Sequence, residues 1–561
     1  MFRTLHIIYI ATVLFFVPAV GLRAQSSDQN FELARQMDVF TNILSRVDMH
    51  YVDSLPTRSI VEAGIDHMLS TLDPYTVYYP EERHDEIYLF ASGRYAGIGV
   101  GLRTMQSTLR CMITTVEHGS PAEEVGLRPG DVFLSIEGQS LGQAASNAVA
   151  DLVAYTNKVA KALSGEPGST LDIEIQRPGS TRGKNFTLRR KLMEQKSVAY
   201  AAMVSDSIGY ISLLRYSENT AAELRRATAL LLQRGAQGLI LDVRGNPGGL
   251  LTAAVDAVGL FVPRETEVVR TRGNANTRDE VFYTNTDPLD EHIPMVVLVD
   301  HESASAAEIT AGALQDYDRA VILGTRTFGK GLVQSTYELP YGGLIKITSA
   351  RYYIPSGRCI QTIDYSHRNS TQQPSPLRPF ETSTGRIVYE GGGISPDVEV
   401  AEDTLTYLVQ QIAASDLLYT FAADYVRTHR TLAAPISFET TLADYAAFKQ
   451  HLVFGGFTYS RRTSEALENL RSIAHAEGYS AEIDDELDNL ASRLSVDIDQ
   501  LLEQQRLPIK HLLEQTIVAT AYGESGLAEY NLRGDRPLIA AISLLRDTRR
   551  YRALLTTVPE R

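Results

Sequence analysis

Three short segments of this sequence combine residue types that could carry out acyl transfer. The first, Asp300-His301-Glu302-Ser303-Ala304-Ser305-Ala306-Ala307-Glu308-Ile309, follows the apolar run Met295 to Val299 and opens a stretch of small residues from Ala306 to Leu314. A turn from a buried strand into a helix exposes a hydroxyl and sets helix N-terminal amides beside it, where negative charge builds on a carbonyl under attack. Ser305, followed by Ala306, is placed to use them. The plainer reading is a helix start capped by Ser303 or Ser305, with Glu308 at capping-box distance from Ser305.

The second segment is Gly324-Thr325-Arg326-Thr327-Phe328-Gly329-Lys330-Gly331. It nearly spells a phosphate-binding loop, but Gly331 stands where a magnesium-holding hydroxyl is required, and Leu332 to Tyr337 predicts a strand where that loop needs a helix. The other job for Lys330 is proton abstraction, which needs a neutral amine and so a pKa drawn down from about 10.4 by burial. Phe328, Gly329, Gly331 and Leu332 give it an uncharged setting. A loop lysine is ordinarily an exposed charge, and only a partnership with Ser305 favours the chemical role. The third segment, Leu241 to Leu250, carries Arg244-Gly245-Asn246-Pro247-Gly248-Gly249 between a strand and the helical stretch Thr252 to Leu260. Such a turn can bring N–H groups to a substrate carbonyl, or can simply be a tight connection.

The elements that must position these segments occupy the middle of a chain of 561 residues, too long for one hydrophobic core. Residues 1–24, with Arg3, an apolar stretch and Leu22-Arg23-Ala24, read as a secretory signal cleaved after Ala24, an uncleaved membrane anchor being the alternative. Residues 28–90 have helical spacing, and 91–180 read as a compact β-rich module of short strands and glycine turns. Across 195–400, Gly238 to Val243, Met295 to Asp300 and Arg319 to Gly324 are strands buried on both faces alternating with helices, the pattern of an α/β core. Residues 363–390, rich in Ser, Thr, Pro and Gln, read as a surface loop, and 402–561 as a helical domain without visible chemistry. A net charge of −15 disfavours a nucleic-acid partner. Cys111 and Cys359 fall in different regions and predict no disulfide framework.

Together, Ser303 to Ile309, Thr327 to Gln334 and Arg244 to Gly249 resemble the carboxyl-terminal processing peptidases, the tail-specific proteases of family S41. Asp73-Pro74-Tyr75-Thr76, Arg351 to Arg358 and Gly393-Ile394-Ser395-Pro396-Asp397 extend the likeness over roughly residues 30 to 400. The resemblance implies a multidomain α/β protein: a ClpP/crotonase-like α/β protease core with a β-rich PDZ domain, an N-terminal helical segment and a C-terminal helical domain. It implies a Ser-Lys endopeptidase in which Ser305 attacks, Lys330 takes its proton and Gln334 orients the lysine. The oxyanion site would use N–H groups of Ala306 and of the Gly248-Gly249 turn. It implies no metal or organic cofactor. The PDZ segment would take unfolded or extended protein C-termini near Gly97-Ile98-Gly99-Val100. An exported, periplasmic setting follows from the N-terminal segment, with a lipoprotein adaptor and a homo-oligomer as further partners to consider.

The chain departs from the family where Ala307 replaces a frequent third serine and where the 363–390 loop is longer. Two rival readings stay open at this point. One is a Ser-His-Asp hydrolase using His301 and Asp242, although His301 is only four residues from Ser305 on the same turn. The other is a non-catalytic PDZ scaffold on a degenerate core.

Overall fold

The computed structural model describes residues 27–556 apart from 84–88, 90–91, 275–278, 366–372, 375–376, 402–404, 430, 460–461, 480 and 495–496. The expected secretory signal lies outside the described residues. The chain divides into two units, Met1–Thr71 and Leu72–Arg561. In the first, helices Ser27–His50 and Thr57–Ser70 leave Phe31, Met37 and Ile43 largely exposed. The helical region stops well short of residue 90: Val77–Tyr79, already within the second unit, is a strand that pairs antiparallel with residues 344–346 of that same unit.

The second unit is built on a six-stranded sheet in the order Val198–Met203, Ile208–Leu213, Gly238–Asp242, Met295–Val299, Val321–Gly324, Val398–Glu399. The first pair is antiparallel and the rest are parallel. Its central strands are continuous runs of Val, Ile and Leu because both faces are covered. Side chains alternate across a strand, so Leu239, Leu241, Val297, Val299 and Ile322 enter one core with helices Thr220–Gln233, Leu251–Val258 and Ala306–Asp316. Ile240, Val296, Leu298, Val321 and Leu323 enter another, closed by Leu538, Ala541, Leu544 and Tyr551 of helices Arg536–Arg546 and Thr548–Leu554. Burying each such side chain is worth about 1.5–3 kcal/mol. The two helices near the end of the chain are thus one layer of the core, and the Tyr551 hydroxyl bonds both backbone groups of Met295.

A second sheet places Leu332–Glu338 and Val77–Tyr79 on Leu344–Tyr353, which also pairs with Glu267–Gly273. The β-rich module has a sheet whose outer strand, Val100–Thr104, lies beside helix Val149–Leu163. A two-stranded ribbon, Arg94–Gly97 with Lys191–Glu194, joins the module to the core. The helices from Tyr407 to Tyr530 pack around Phe448, Leu452, Leu513 and Ile517. Part of the expected surface loop is otherwise than predicted: Pro379–Glu381 pairs with Ile387–Tyr389. Arg386 then binds Asp318 and Asp397, and Ser383 donates to the Asp316 carbonyl. Ion pairs rather than apolar periodicity fix this segment, which is why composition alone reads it as loop.

Candidate active site

The parallel strands end in the turns that carry the candidate residues, the usual place for a site in such a sheet. Ser305 begins helix Ala306–Asp316 with φ of 55° and ψ of −114°. A non-glycine residue there costs on the order of 1–3 kcal/mol and persists only where its surroundings impose it. Here the imposing group is Glu308. Its wholly buried carboxylate accepts the N–H of Ser305 at 2.8 Å, of Gly329 at 2.7 Å and of Lys330 at 2.9 Å, and the Thr327 hydroxyl at 2.5 Å. Burial pushes its pKa up, and those four donors pull it back towards the ionised form that can accept them all. Tyr352, also buried, places its hydroxyl 2.5 Å from the Lys330 carbonyl and 3.1 Å from that of Ser305. Two buried side chains therefore bind the serine turn to the lysine turn.

The glycine turn is drawn to the same place. A Cβ on Gly248, whose φ is 97°, would lie 2.8 Å from the Ser305 Cβ and 2.9 Å from the Ala306 nitrogen. One on Gly249 would lie 1.9 Å from the Tyr216 carbonyl oxygen, so only glycine fits. Gly248 donates its N–H to the Asn246 side chain at 2.9 Å and its carbonyl accepts from Tyr216 at 3.0 Å. The Tyr216 hydroxyl in turn donates to Thr310 on the serine helix at 2.8 Å. Asp300 accepts the Gly245 N–H and those of Glu302 and Ser303. Beside the turn, a cleft of about 320 Å³ is lined by Leu250, Leu251, Phe282, Val333 and Ala350, with Glu280 among its polar members.

Burial draws the Lys330 pKa down to about 8, helped by the neighbouring Lys346 and opposed by Glu308 and Asp73. Its Nζ stands 4.4 Å from the centre of the Tyr75 ring. Gln334, on the strand that follows, donates to the Thr348 hydroxyl at 3.4 Å, and among the described residues it makes no hydrogen bond to the lysine amine. Asp242 is not brought to His301 either. It holds the Arg244 guanidinium through two bonds of 2.9 and 2.6 Å and accepts from the Tyr210 hydroxyl, while His301 is exposed. The strand after Lys330 is the one its sequence predicts, which removes the phosphate-loop reading.

Residues 207–366 match peptidase family S41, residues 112–177 a PDZ domain, and residues 408–545 the C-terminal helical domain of probable PDZ-proteases. The carboxy-terminal-processing protease of Bartonella bacilliformis is 32% identical over 68% of this chain and 88% of its own length. The carboxyl-terminal-processing protease of Synechocystis is 36% identical over 60% of this chain and 77% of its own. The chain belongs to the S41 carboxyl-terminal-processing proteases. Among solved structures, a photosystem II D1 C-terminal processing protease aligns at 26% identity over 65% of this chain and 93% of that one, with a TM-score of 0.35.

In this S41 serine peptidase the PDZ turn lies between two strands. The carbonyls of Ile98 and Gly99 accept from Ala122 and Glu117, both at 3.0 Å, and a Cβ on Gly99 would lie 2.4 Å from that of Ser120. Gly97 ends the ribbon strand and Val100 starts the outer strand of the PDZ sheet. The hairpin tip beyond is held by the helical domain: Asp416 accepts from Gln106 and Ser107, and Arg103 bonds the Ala414 carbonyl over the Tyr419 ring. On the core, Arg244 is shared between Asp242 and Asp535, the latter the N-cap of helix Arg536–Arg546. Sequence spacing marked Glu308 only as a helix cap. Tyr75 and Tyr352 lie in segments that carried the family likeness but no role of their own, and Asp535 gave no signal, because each acts across a long sequence separation.

Proposed function

We propose that the chain is an exported endopeptidase that cuts proteins with a Ser305–Lys330 dyad and takes up their C-terminal ends through its PDZ domain. The observation that carries this reading is Glu308, which accepts the backbone N–H of both residues and so holds nucleophile and lysine to one carboxylate. In the reaction the Ser305 hydroxyl attacks the peptide carbonyl, and the neutral Lys330 amine takes its proton and passes it to the leaving amine. Gln334 would orient the amine once it has turned from Tyr75. The charge on the carbonyl oxygen would fall to the Ala306 N–H, which has no partner within its own helix, and to the glycine turn. Gly248 already donates to Asn246, so Gly249 is the glycine assigned to the oxyanion. A PDZ ligand would add to the free edge of Val100–Thr104 with its carboxylate at Gly97 to Val100.

The test is cleavage of an unfolded protein with an apolar C-terminus. Ser305→Ala and Lys330→Ala are expected to lose activity by about a thousandfold or more, with His301→Ala close to the parent. An active Lys330→Ala variant would refute the dyad. Blocking the substrate's C-terminal carboxylate should raise KM if the PDZ reading holds. Chain recovered outside the cytoplasm should begin at Gln25, and an intact Met1 would refute cleavage after Ala24.

A further inference from the structure

We propose that Tyr75 is a positioning residue for the peptidase reaction, its ring holding the Lys330 ammonium and setting the pH above which that lysine is released as a base. This rests on Lys330 being the general base. The negative face of an aromatic ring attracts an ammonium within about 6 Å and gives a neutral amine no such gain. At 4.4 Å the Nζ is inside that range, and among the described residues it has no hydrogen-bond acceptor.

The ring is fixed, whereas the lysine is a four-carbon stem. Asp73, itself buried, accepts the N–H of Tyr75 and of Thr76, each at 2.8 Å, and the Thr76 hydroxyl at 3.0 Å. That hydroxyl oxygen accepts the Thr348 N–H at 3.2 Å, and the next three residues pair with the same strand, Val77 opposite Lys346. Tyr365 stacks edge-on against Tyr75 at 6.3 Å. The turn is thereby part of the core sheet, and the mobile partner is the amine. Around it stand the charges of Lys346, which favours the neutral form, and of Glu308 and Asp73, which favour the ammonium. The Tyr75 ring sides with the carboxylates against burial. Loss of the proton ends the attraction and frees the amine to turn to the Ser305 hydroxyl.

The experiment measures kcat/KM against pH for the parent, Tyr75→Phe, Tyr75→Leu and phenylalanines bearing one to three ring fluorines at position 75. Fluorine drains the negative face with little change in shape, so folding is kept even if Tyr75→Leu fails. The acid limb should stay in place for Tyr75→Phe and move to lower pH with each fluorine, by about half to one pH unit across the series. A limb that stays put throughout, or that moves fully with Tyr75→Phe, overturns the proposal. In a Ser305→Ala background, the pH dependence of Lys330 acylation by an amine-reactive ester, read by mass spectrometry, reports the same titration without catalysis. A shift in both measurements supports the proposal. A shift in acylation alone overturns it through the base assignment, and no shift in either overturns it at the ring.

Discussion

The turns around Ser305 and the hairpin tip of the PDZ domain are both held by a buried carboxylate, and they are held to different purposes. Glu308 is inaccessible and serves four donors, three of them on a loop nineteen to twenty-two residues further along the chain. Asp416 serves two N–H groups and a hydroxyl on one hairpin tip, whose Gln106 and Ser107 are themselves exposed. Removing the first acceptor strands donors in a dry interior, while removing the second lets water take its place. The difference teaches that the serine and lysine turns are built for one geometry, whereas the hairpin tip of the PDZ domain is tied by contacts that water can replace.

The comparison can be broken most severely at Glu308. Glu308→Gln sets an amide N–H₂ against N–H donors and should cost about 2–4 kcal/mol in denaturant unfolding, with most activity lost. Asp416→Ala should cost about 1 kcal/mol or less and leave cleavage of short peptides unchanged. It should speed hydrogen exchange at Gln106 and Ser107 and alter KM for substrates with a free C-terminus. Equal unfolding costs for the two variants would erase the distinction. The smallest effect sharpens the electrostatics on the catalytic side. Lys346→Gln removes a like charge that helps hold the Lys330 pKa near 8, so the acid limb of kcat/KM should move to higher pH by about a few tenths of a unit. A move to lower pH would contradict that sign.

Much of the candidate catalytic side was legible because its signals are local. The serine turn, the strand after Lys330, the glycine turn and the buried strands are each stated within ten residues, and the structure has them as read. The span of Glu308 was half legible: its spacing to Ser305 is a helix-cap pattern, but its bonds to Thr327, Gly329 and Lys330 depend on two strands lying side by side. Tyr75 was quoted within a motif, yet its place beside Lys330 comes from strand pairing with residues 344–346, more than 260 residues away. Asp416 and Asp535 open helices like many other acidic residues, and only the packing of those helices brings them to Ser107 and Arg244. The sequence pattern likewise groups Arg536 to Leu554 with the other helices, since amphipathic spacing does not say which surface a helix covers.

Those two helices bear on how the protein comes into being. Synthesis runs from the N-terminus, and Arg536–Arg546 and Thr548–Leu554 are made after every other part of the site. Until they arrive, Ile240, Val296, Leu298, Val321 and Leu323 lack the cover of Leu538, Ala541, Leu544 and Tyr551, and Arg244 lacks its second carboxylate. Ser305, Lys330 and the glycine turn are therefore present in the nascent chain well before the sheet beneath them is closed. The surface on which the three turns rest is thus completed by segments translated more than two hundred residues after Lys330.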